Sequence, residues 1–582
     1  MLILGLSFGY HDAGAALINE AGIIAAAHEE RFSRNKNDAS FPINAIKFCL
    51  QKAGINVSAL DYIVYYEDAL AKFDRIAATG LANDEKGQAM LIETVEDWFR
   101  EGKFYPQKLI SQRLGISPDK IICLSHHLSH AASTFLASPF NEAAILTLDG
   151  VGEKETLTLS KGKDKEITKL AKVEFPDSLG LFYSAFTAFL GFEVNEGEYK
   201  VMGMAGFGKP RFYKQIMDMI EFNGNCSFKL KPEFFNFTSI SDLPYTQKLI
   251  DYFGEPRKPE APFSQDGLKP IDEQAQLCAD IAASVQLCTE EAILHLAQEA
   301  LTITQSNNLC LAGGVALNSA ANGRIRREIN CNLFIQPAAG DAGAALGAAL
   351  YQMAQCKIRL PALQSPYLGQ DVNINEITSA IEEAGIENYK FFETKEELLT
   401  ATCALLQNGK VVGWMQGRTE WGPRALGNRS ILAHPGLKDM KNIVNEKIKF
   451  REPFRPFAPS VLIEKAEEFF ELPLNYLSLY APENFMLAVC PVKESAKPKI
   501  PAITHVDGSA RVHLVRKETN YLYYSLIKKF SENTNIPLLL NTSFNLRGEA
   551  IVNQPKDAIK TFLWSGMDAL VIDQYIIMKD YL

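Results

Sequence analysis

No two of the ten cysteines stand at C-x-x-C spacing. That pattern excludes a cysteine-rich zinc module and a disulfide framework, and leaves buried thiols in a reducing, cytoplasmic compartment as the expectation. Positive charge is in deficit: the formal net charge is −10. A broad nucleic-acid-binding surface is therefore not expected, which leaves room only for a local basic cleft. The chain has no uninterrupted apolar run of the roughly 18 residues that a membrane-spanning helix needs. Its start, 1-MLILGLSFGYHDAGAALI-18, lacks a basic flank and is broken by His11 and Asp12. It reads as a strand, a glycine turn and a second strand rather than a signal peptide. Histidine is scarce, at 9 of 582 residues, yet three fall within five positions in 125-SHHLSHAAS-133.

What is present is the composition of a globular protein, 47% hydrophobic and 22% charged. The length calls for two or more domains. The stretches 2–34 and 142–162 share one pattern, an apolar strand, a glycine turn and a further strand, and point to an internal duplication. A helical tract spans about 272–305. Strand–turn–helix units follow at 309-LCLAGGVALNSAANGRI-325 and 331-CNLFIQPAAGDAGAALGAALYQM-353. The expected domains are 1–358 and 383–582, joined by an aperiodic, proline-bearing linker at 359–382. The second domain reads as mixed α/β and ends in a strand within 567–579.

On a helix, His126 and His130 point the same way and can share a metal ion, whereas His127 points elsewhere. The alternative is a polar helix start with hydrogen-bonded imidazoles. Asp12, Asp149 and Asp341 are glycine-flanked and follow strands, as phosphate- or metal-handling aspartates do, although turns and N-caps place aspartate there too. Gly14, Gly150 and 313-GGVALN-318, with Gly313, Gly314 and Asn318, are candidates for offering amides to a phosphate. Between 418 and 455, nine basic residues stand against four acidic ones, a local reversal of the chain's sign. Arg418, Arg424, Arg451 and Arg455 lie among Gly, Pro, Trp and Phe, which favours ordered guanidinium groups suited to phosphate oxygens, and Lys449 stands beside them as a further candidate. An ion-paired surface would show the same excess. Asn541, Ser543 and Asn545 follow the apolar strand 536-IPLLL-540, where open α/β folds bind ligands.

Taken together, 11-HDAGAAL-17, 28-HEERFSR-34, 126-HHLSHAAS-133, 149-DGVGE-153, 197-GEYKVMGMAGFG-208, 340-GDAGAALG-347, 417-GRTEWGPRALGNRSI-431, 449-KFREPFRPFAPSV-461, 505-HVDGSARV-512 and 541-NTSFNLRGEAIV-552 resemble the NodU/CmcH-type O-carbamoyltransferases over nearly the whole chain. The resemblance implies an α/β protein with an actin/Hsp70-like (Kae1-like) duplicated domain followed by a YrdC-like domain. It implies a divalent metal, Fe(II) in characterised relatives, on His126, His130 and Asp341. Two imidazoles and a carboxylate suit Zn(II) or Mn(II) as well. It also implies that ATP, with Mg(II), and carbamoyl phosphate bind the second domain, where Arg511 joins the basic residues above. Carbamoyl-adenylate formed there carries the carbamoyl group to a hydroxyl of a small polar metabolite or natural product. His11, with Asp12 as alternative, is the candidate base. The aromatic segments 175–192 and 232–245 are candidates for lining the acceptor pocket, or for filling a core. A homo-oligomer is compatible with the sequence. The rival readings are a threonylcarbamoyl-type tRNA-modifying enzyme and a non-enzymatic ATP-binding module.

Overall fold

The computed structural model describes residues 1–579; the last three residues of the expected second domain, 580–582, lie outside the described residues. The chain divides into two units. The first comprises Met1–Glu29, Ala39–Phe263 and Ile271–Leu363; the second comprises Glu30–Asp38, Ser264–Pro270 and Gln364–Leu582. Two short segments of the first half of the sequence thus fold with the second unit, which a linear division at 358/383 does not anticipate. The expected linker is also more than a linker. It contributes the helix Ile374–Glu383, whose Ile377, Ala380 and Ile381 are buried in the second unit's core.

The first unit contains one topology twice. β1 (Leu2–Ser7), β2 (Gly14–Asn19), β3 (Gly22–His28), β4 (Tyr62–Tyr65) and β5 (Ile121–Cys123) form a sheet ordered β3-β2-β1-β4-β5. β6 (Glu142–Leu148), β7 (Glu155–Lys163), β8 (Glu166–Glu174), β11 (Asn308–Ala312) and β12 (Asn332–Ile335) form a sheet ordered β12-β11-β6-β7-β8, while β9 (Ile220–Gly224) and β10 (Ser227–Leu230) pair separately. In each five-stranded sheet the first three strands are antiparallel, and the other two run parallel to the first. The central strands are apolar on both faces because helices cover both, which erases the alternation of a half-exposed strand. The helix Glu273–Thr304 starts where the Asp272 carboxylate accepts from the Ala275 amide at 2.7 Å.

The second unit holds β13 (Tyr389–Phe391), β14 (Val412–Met415), β15 (Arg429–Ala433), β16 (Ala458–Leu462), β19 (His513–Val515), β20 (Leu538–Ser543), β21 (Ala569–Ile572) and β22 (Tyr575–Met578) in the order β13-β22-β21-β14-β15-β20-β16-β19. A small ribbon of β17 (Val489–Pro491) and β18 (Ser509–Arg511) stands beside them. The expected terminal strand is a hairpin: Asp573, at φ 47°, turns the chain between β21 and β22. None of the ten cysteines forms a disulfide. Among the described residues no helix is long and apolar enough to cross a membrane.

Candidate functional site

In the first unit the helix His126–Phe135 packs against the helix Asp341–Gln355 at backbone distance. A Cβ on Gly347 would lie 1.9 Å from the Ser129 carbonyl oxygen, so only glycine permits the approach. That packing brings the first turns of both helices together, next to the end of β6. Asp149 follows β6 and enters the same point. His126 Nε2 lies 2.9 Å from Asp149 Oδ2 and 3.1 Å from His130 Nε2. His130 Nε2 lies 3.4 Å from both Asp149 Oδ2 and Asp341 Oδ1, and His126 Nε2 lies 3.7 Å from Asp341 Oδ1. Each of the four residues offers one ligand atom, all within 4.8 Å of one another; His126, His130 and Asp341 are buried, and the Asp149 side chain is 12% exposed.

These spacings fit a divalent ion. Ligands about 2.0–2.2 Å from a metal stand about 3.0–3.5 Å apart in octahedral or tetrahedral arrangements. The charges agree with that reading. Burial opposes protonation of His130, yet hydrogen bonds to Asp149 and Asp341 and their charges raise it to about 9. Burial likewise disfavours charge on Asp341, but His11, His126 and His130 hold it down to about 2. Without a cation the carboxylates recruit protons, and a divalent ion would replace those protons.

The expected ligands His126, His130 and Asp341 are brought together. Asp149, expected as a phosphate- or metal-handling aspartate, joins them as a fourth donor in the metal-type cluster. Its Oδ1 is anchored by the Gly150 amide at 2.9 Å and the Gly314 amide at 3.1 Å, which leaves Oδ2 for the imidazoles. The amides expected to meet a phosphate are therefore engaged: Gly150 and Gly314 on Asp149, and Gly313 on the Ala339 carbonyl at 2.9 Å. Asn318 caps the helix Ser319–Glu328 through Ala321 and accepts from Gln286 Nε2 at 3.0 Å. Gly14 opens β2 and is buried. His127 faces away and pairs with Thr147 Oγ1 at 2.7 Å; burial depresses it to about 3, so it is neutral. A role that the sequence reading missed belongs to Glu153, whose Oε1 accepts from the His126 amide at 2.7 Å and the Asp68 amide at 2.8 Å. It thereby caps the ligand-bearing helix from a distant loop, since the local N-cap, Ser125, makes no side-chain bond.

His11 sits in the β1–β2 turn, its Nδ1 3.0 Å from Asp12 Oδ2 and its Nε2 3.9 Å from Asp341 Oδ2. Burial lowers its proton affinity, but Asp341 and then Asp12 overcome this and raise it to about 9. The aromatic segments are largely core. Phe182, Phe186 and Phe189 are buried, and so are Phe234, Phe235 and Tyr245. Phe182 meets Phe235 with centroids 5.9 Å apart, and Phe189 meets Tyr245 at 5.4 Å.

In the second unit Arg424, Arg455 and Arg511 converge. Burial, then the charges of Arg424 and Arg455, push Arg511 well below its ordinary range. Burial, followed by Arg451 and Arg455, does the same to Lys449. Cations held close to one another in a desolvated place, with Glu452 3.6 Å from Arg455, fit an anionic ligand. Lys449 Nζ donates to the Ser543 carbonyl (2.7 Å), the Asn545 carbonyl (2.8 Å) and Asn545 Oδ1 (2.7 Å), so three of the expected residues form one knot. Arg451 stacks on Phe457, 4.7 Å from the ring centroid, and donates from Nε to Asn445 Oδ1 at 2.8 Å. Asn541 is 1% exposed and donates to the Ala425 carbonyl and Ser460 Oγ, so it ties strands together. Arg418 donates to the carbonyls of Gly369 and Leu368. The sequence reading missed Lys36, whose charge acts on Lys449. Its segment is held in the second unit by Arg34, which donates to the carbonyls of Ile551 (2.6 Å) and Ala550 (2.8 Å).

Metal-type donors in one unit and a cationic cluster in the other suit an α/β enzyme that handles a divalent ion and anionic substrates. Residues 2–350 match the family model of the carbamoyltransferase N-terminus and residues 403–579 that of the carbamoyltransferase C-terminus. The chain belongs to the carbamoyltransferase family of the NodU/CmcH type and is an enzyme of that class. It is 42% identical to an uncharacterized protein of Synechocystis sp., sll1178, over 99% of this chain and 96% of the relative. It is 36% identical to nodulation protein NolNO of Sinorhizobium fredii (100% of this chain, 83% of the relative) and 25% identical to nodulation protein U of Rhizobium tropici (98% and 95%).

Proposed function

We propose that the protein is an ATP-dependent O-carbamoyltransferase that moves the carbamoyl group of carbamoyl phosphate to a hydroxyl of a small polar metabolite through carbamoyl-adenylate. The carrying observation is the separation of equipment: a cluster of crowded cations in the second unit and four metal-type donors in the first. In this reading the units are Kae1-like and YrdC-like, the nucleotide brings Mg(II), and the resident ion is Fe(II).

The cationic cluster around Arg424, Arg455, Arg511 and Lys449 binds carbamoyl phosphate and ATP and offsets charge as it moves between oxygens. Water hydrolyses carbamoyl phosphate, breaking its anhydride bond to give phosphate and carbamate. A carbamate oxygen then attacks the α-phosphorus of ATP, and pyrophosphate leaves. When bound in the first unit, the ion supplies positive charge for the adenylate's phosphoryl oxygen. The acceptor oxygen attacks the carbamoyl carbon, the C–O bond to the phosphate breaks, and AMP leaves with that electron pair. His11 takes the acceptor's proton. At a proton affinity of about 9 it would hold a proton already; a cation held by Asp341 would offset the charge that raises it and leave His11 able to act as base.

Exchange of labelled pyrophosphate into ATP, dependent on carbamoyl phosphate, reads the first half-reaction alone. R455A is expected to lose exchange, and H130A to keep exchange while losing transfer. The opposite pattern would refute the division of labour.

A further inference from the structure

Residues Ser264–Pro270 lie in sequence among first-unit elements, yet they fold with the second unit. The excursion has a closed neck: the Ile271 amide donates to the Phe263 carbonyl at 3.0 Å. It also holds its own shape. Ser264 Oγ donates to the Lys269 carbonyl at 2.6 Å and accepts from the Gly267 amide at 3.0 Å, and Asp266 Oδ1 accepts from the Leu268 and Lys269 amides. At its tip Gly267 takes φ +68°, and a Cβ there would lie 2.5 Å from the Pro453 carbonyl oxygen. The Gly267 carbonyl accepts from Lys441 Nζ at 3.1 Å, and Lys441 is 9% exposed.

Both contacts bear on the anion-binding cations. Pro453 stands between Arg451 and Arg455. Its carbonyl and that of Arg455 accept from Asn445 Nδ2 at 3.3 and 3.1 Å, while Asn445 Oδ1 holds Arg451 Nε. Lys441 belongs to the helical turn Met440–Ile443, which runs on into the turn Val444–Lys449 and so to Lys449 itself. The excursion therefore touches the two chain segments that carry Lys449, Arg451 and Arg455, one by backbone packing and one by a buried hydrogen bond.

We infer that Ser264–Pro270 is a positioning strap for the anion-binding site of the second unit, with Gly267 and Lys441 as its positioning residues. The inference rests on the proposed role of that site. The strap acts by position, its Asp266 carboxylate being engaged by its own Leu268 and Lys269 amides. It fixes the loop 450–456 so that its guanidinium groups converge, and a loose loop would spread them and weaken every anion contact at once.

The neck dictates the test. A carbonyl of residue i bonded to the amide of residue i+3 is the hydrogen bond of a β-turn, so Ser264–Pro270 can be replaced by Asn-Gly with that bond retained. The parent, this excision variant, G267A, K441M and K441R are compared by calorimetric titration with inorganic pyrophosphate and by the exchange assay. Excision and G267A are expected to raise the pyrophosphate Kd and the KM for carbamoyl phosphate tenfold or more, with the metal content of the first unit unchanged. K441M should follow them, and K441R, which keeps a donor, should recover most of the loss. A pyrophosphate Kd within twofold of the parent after excision would overturn the strap. So would a fall in kcat at constant KM that tracks the folded fraction. A parent that binds pyrophosphate but shows no carbamoyl-phosphate-dependent exchange would refute the proposed function, while the Kd series would still decide the strap.

Discussion

The substitution Asp149→Asn separates a four-donor metal site from the three-donor set His126, His130 and Asp341. The carboxamide fits the same space, and its oxygen can still accept from the Gly150 and Gly314 amides, as Asp149 Oδ1 does at 2.9 and 3.1 Å. The fold is thus retained while the charge facing His126 and His130 is removed. At an effective dielectric constant of about 20, a ligating carboxylate whose charge centres about 3 Å from a divalent ion attracts it by about 11 kcal/mol. Much of that attraction offsets the cost of burying the carboxylate. A net loss of about 3 kcal/mol remains, which corresponds to an affinity lower by about a hundredfold or more. Calorimetric titration of the metal-free protein with Fe(II), Mn(II) or Zn(II) reads this directly, and thermal unfolding reads it independently. An ion at about 100 times the parent's Kd stabilises the parent by about 2.7 kcal/mol, whereas a hundredfold weaker variant gains only about 0.4 kcal/mol at the same concentration. A D149N protein that binds metal within threefold of the parent, alongside a D341N protein that does not, would refute the four-donor geometry.

His127→Ala should keep full metal content, because His127 bonds Thr147 and points away from the cluster; it should lower stability by about 1–3 kcal/mol through the lost buried hydrogen bond and packing, as urea unfolding will measure. Metal affinity should fall on acidification: the ion-free site keeps His130 protonated up to about pH 9, so each bound ion must displace that proton, at about tenfold per pH unit over pH 6–8 in titrations. In the ion-free protein the sign reverses. His130 is raised from its ordinary value of 6.5, so its contribution to stability is complete below about pH 6.5 and is lost as the pH rises through about 9, which pH-dependent melts will follow. Lys449→Met should abolish carbamoyl-phosphate-dependent exchange by at least tenfold, since it leaves the carbonyls of Ser543 and Asn545 without their shared donor; K449M with normal exchange would remove Lys449 from the site.

Much of the first unit was legible because its signals are local. Two histidines four apart declare a shared helix face whatever surrounds them, and an apolar run after a glycine turn declares a strand. The repeated strand pattern at 2–34 and 142–162 matches the opening strands of two five-stranded sheets built in one order. The basic excess at 418–455 marked the cationic cluster because charge is counted without knowing the fold.

What only the tertiary structure decided depends on long-range placement. Asp149 reads equally as a phosphate- or metal-handling aspartate and as an Asp-Gly turn until β6 delivers it to the two imidazoles, and the amides of Gly150 and Gly314 read as phosphate donors until that same carboxylate engages them. The aromatic residues of 232–245 look exposed in a turn-rich sequence, yet they find partners on the helix Leu179–Phe189 and become core. Glu153 caps a helix to which its own sequence neighbourhood gives no clue. The excursions Glu30–Asp38 and Ser264–Pro270 join a unit whose main sequence begins at Gln364. Hydrophobic periodicity reports which face of an element is buried, but the partner that buries it, and the segments that leave one unit to complete another, are chosen by packing across the folded chain.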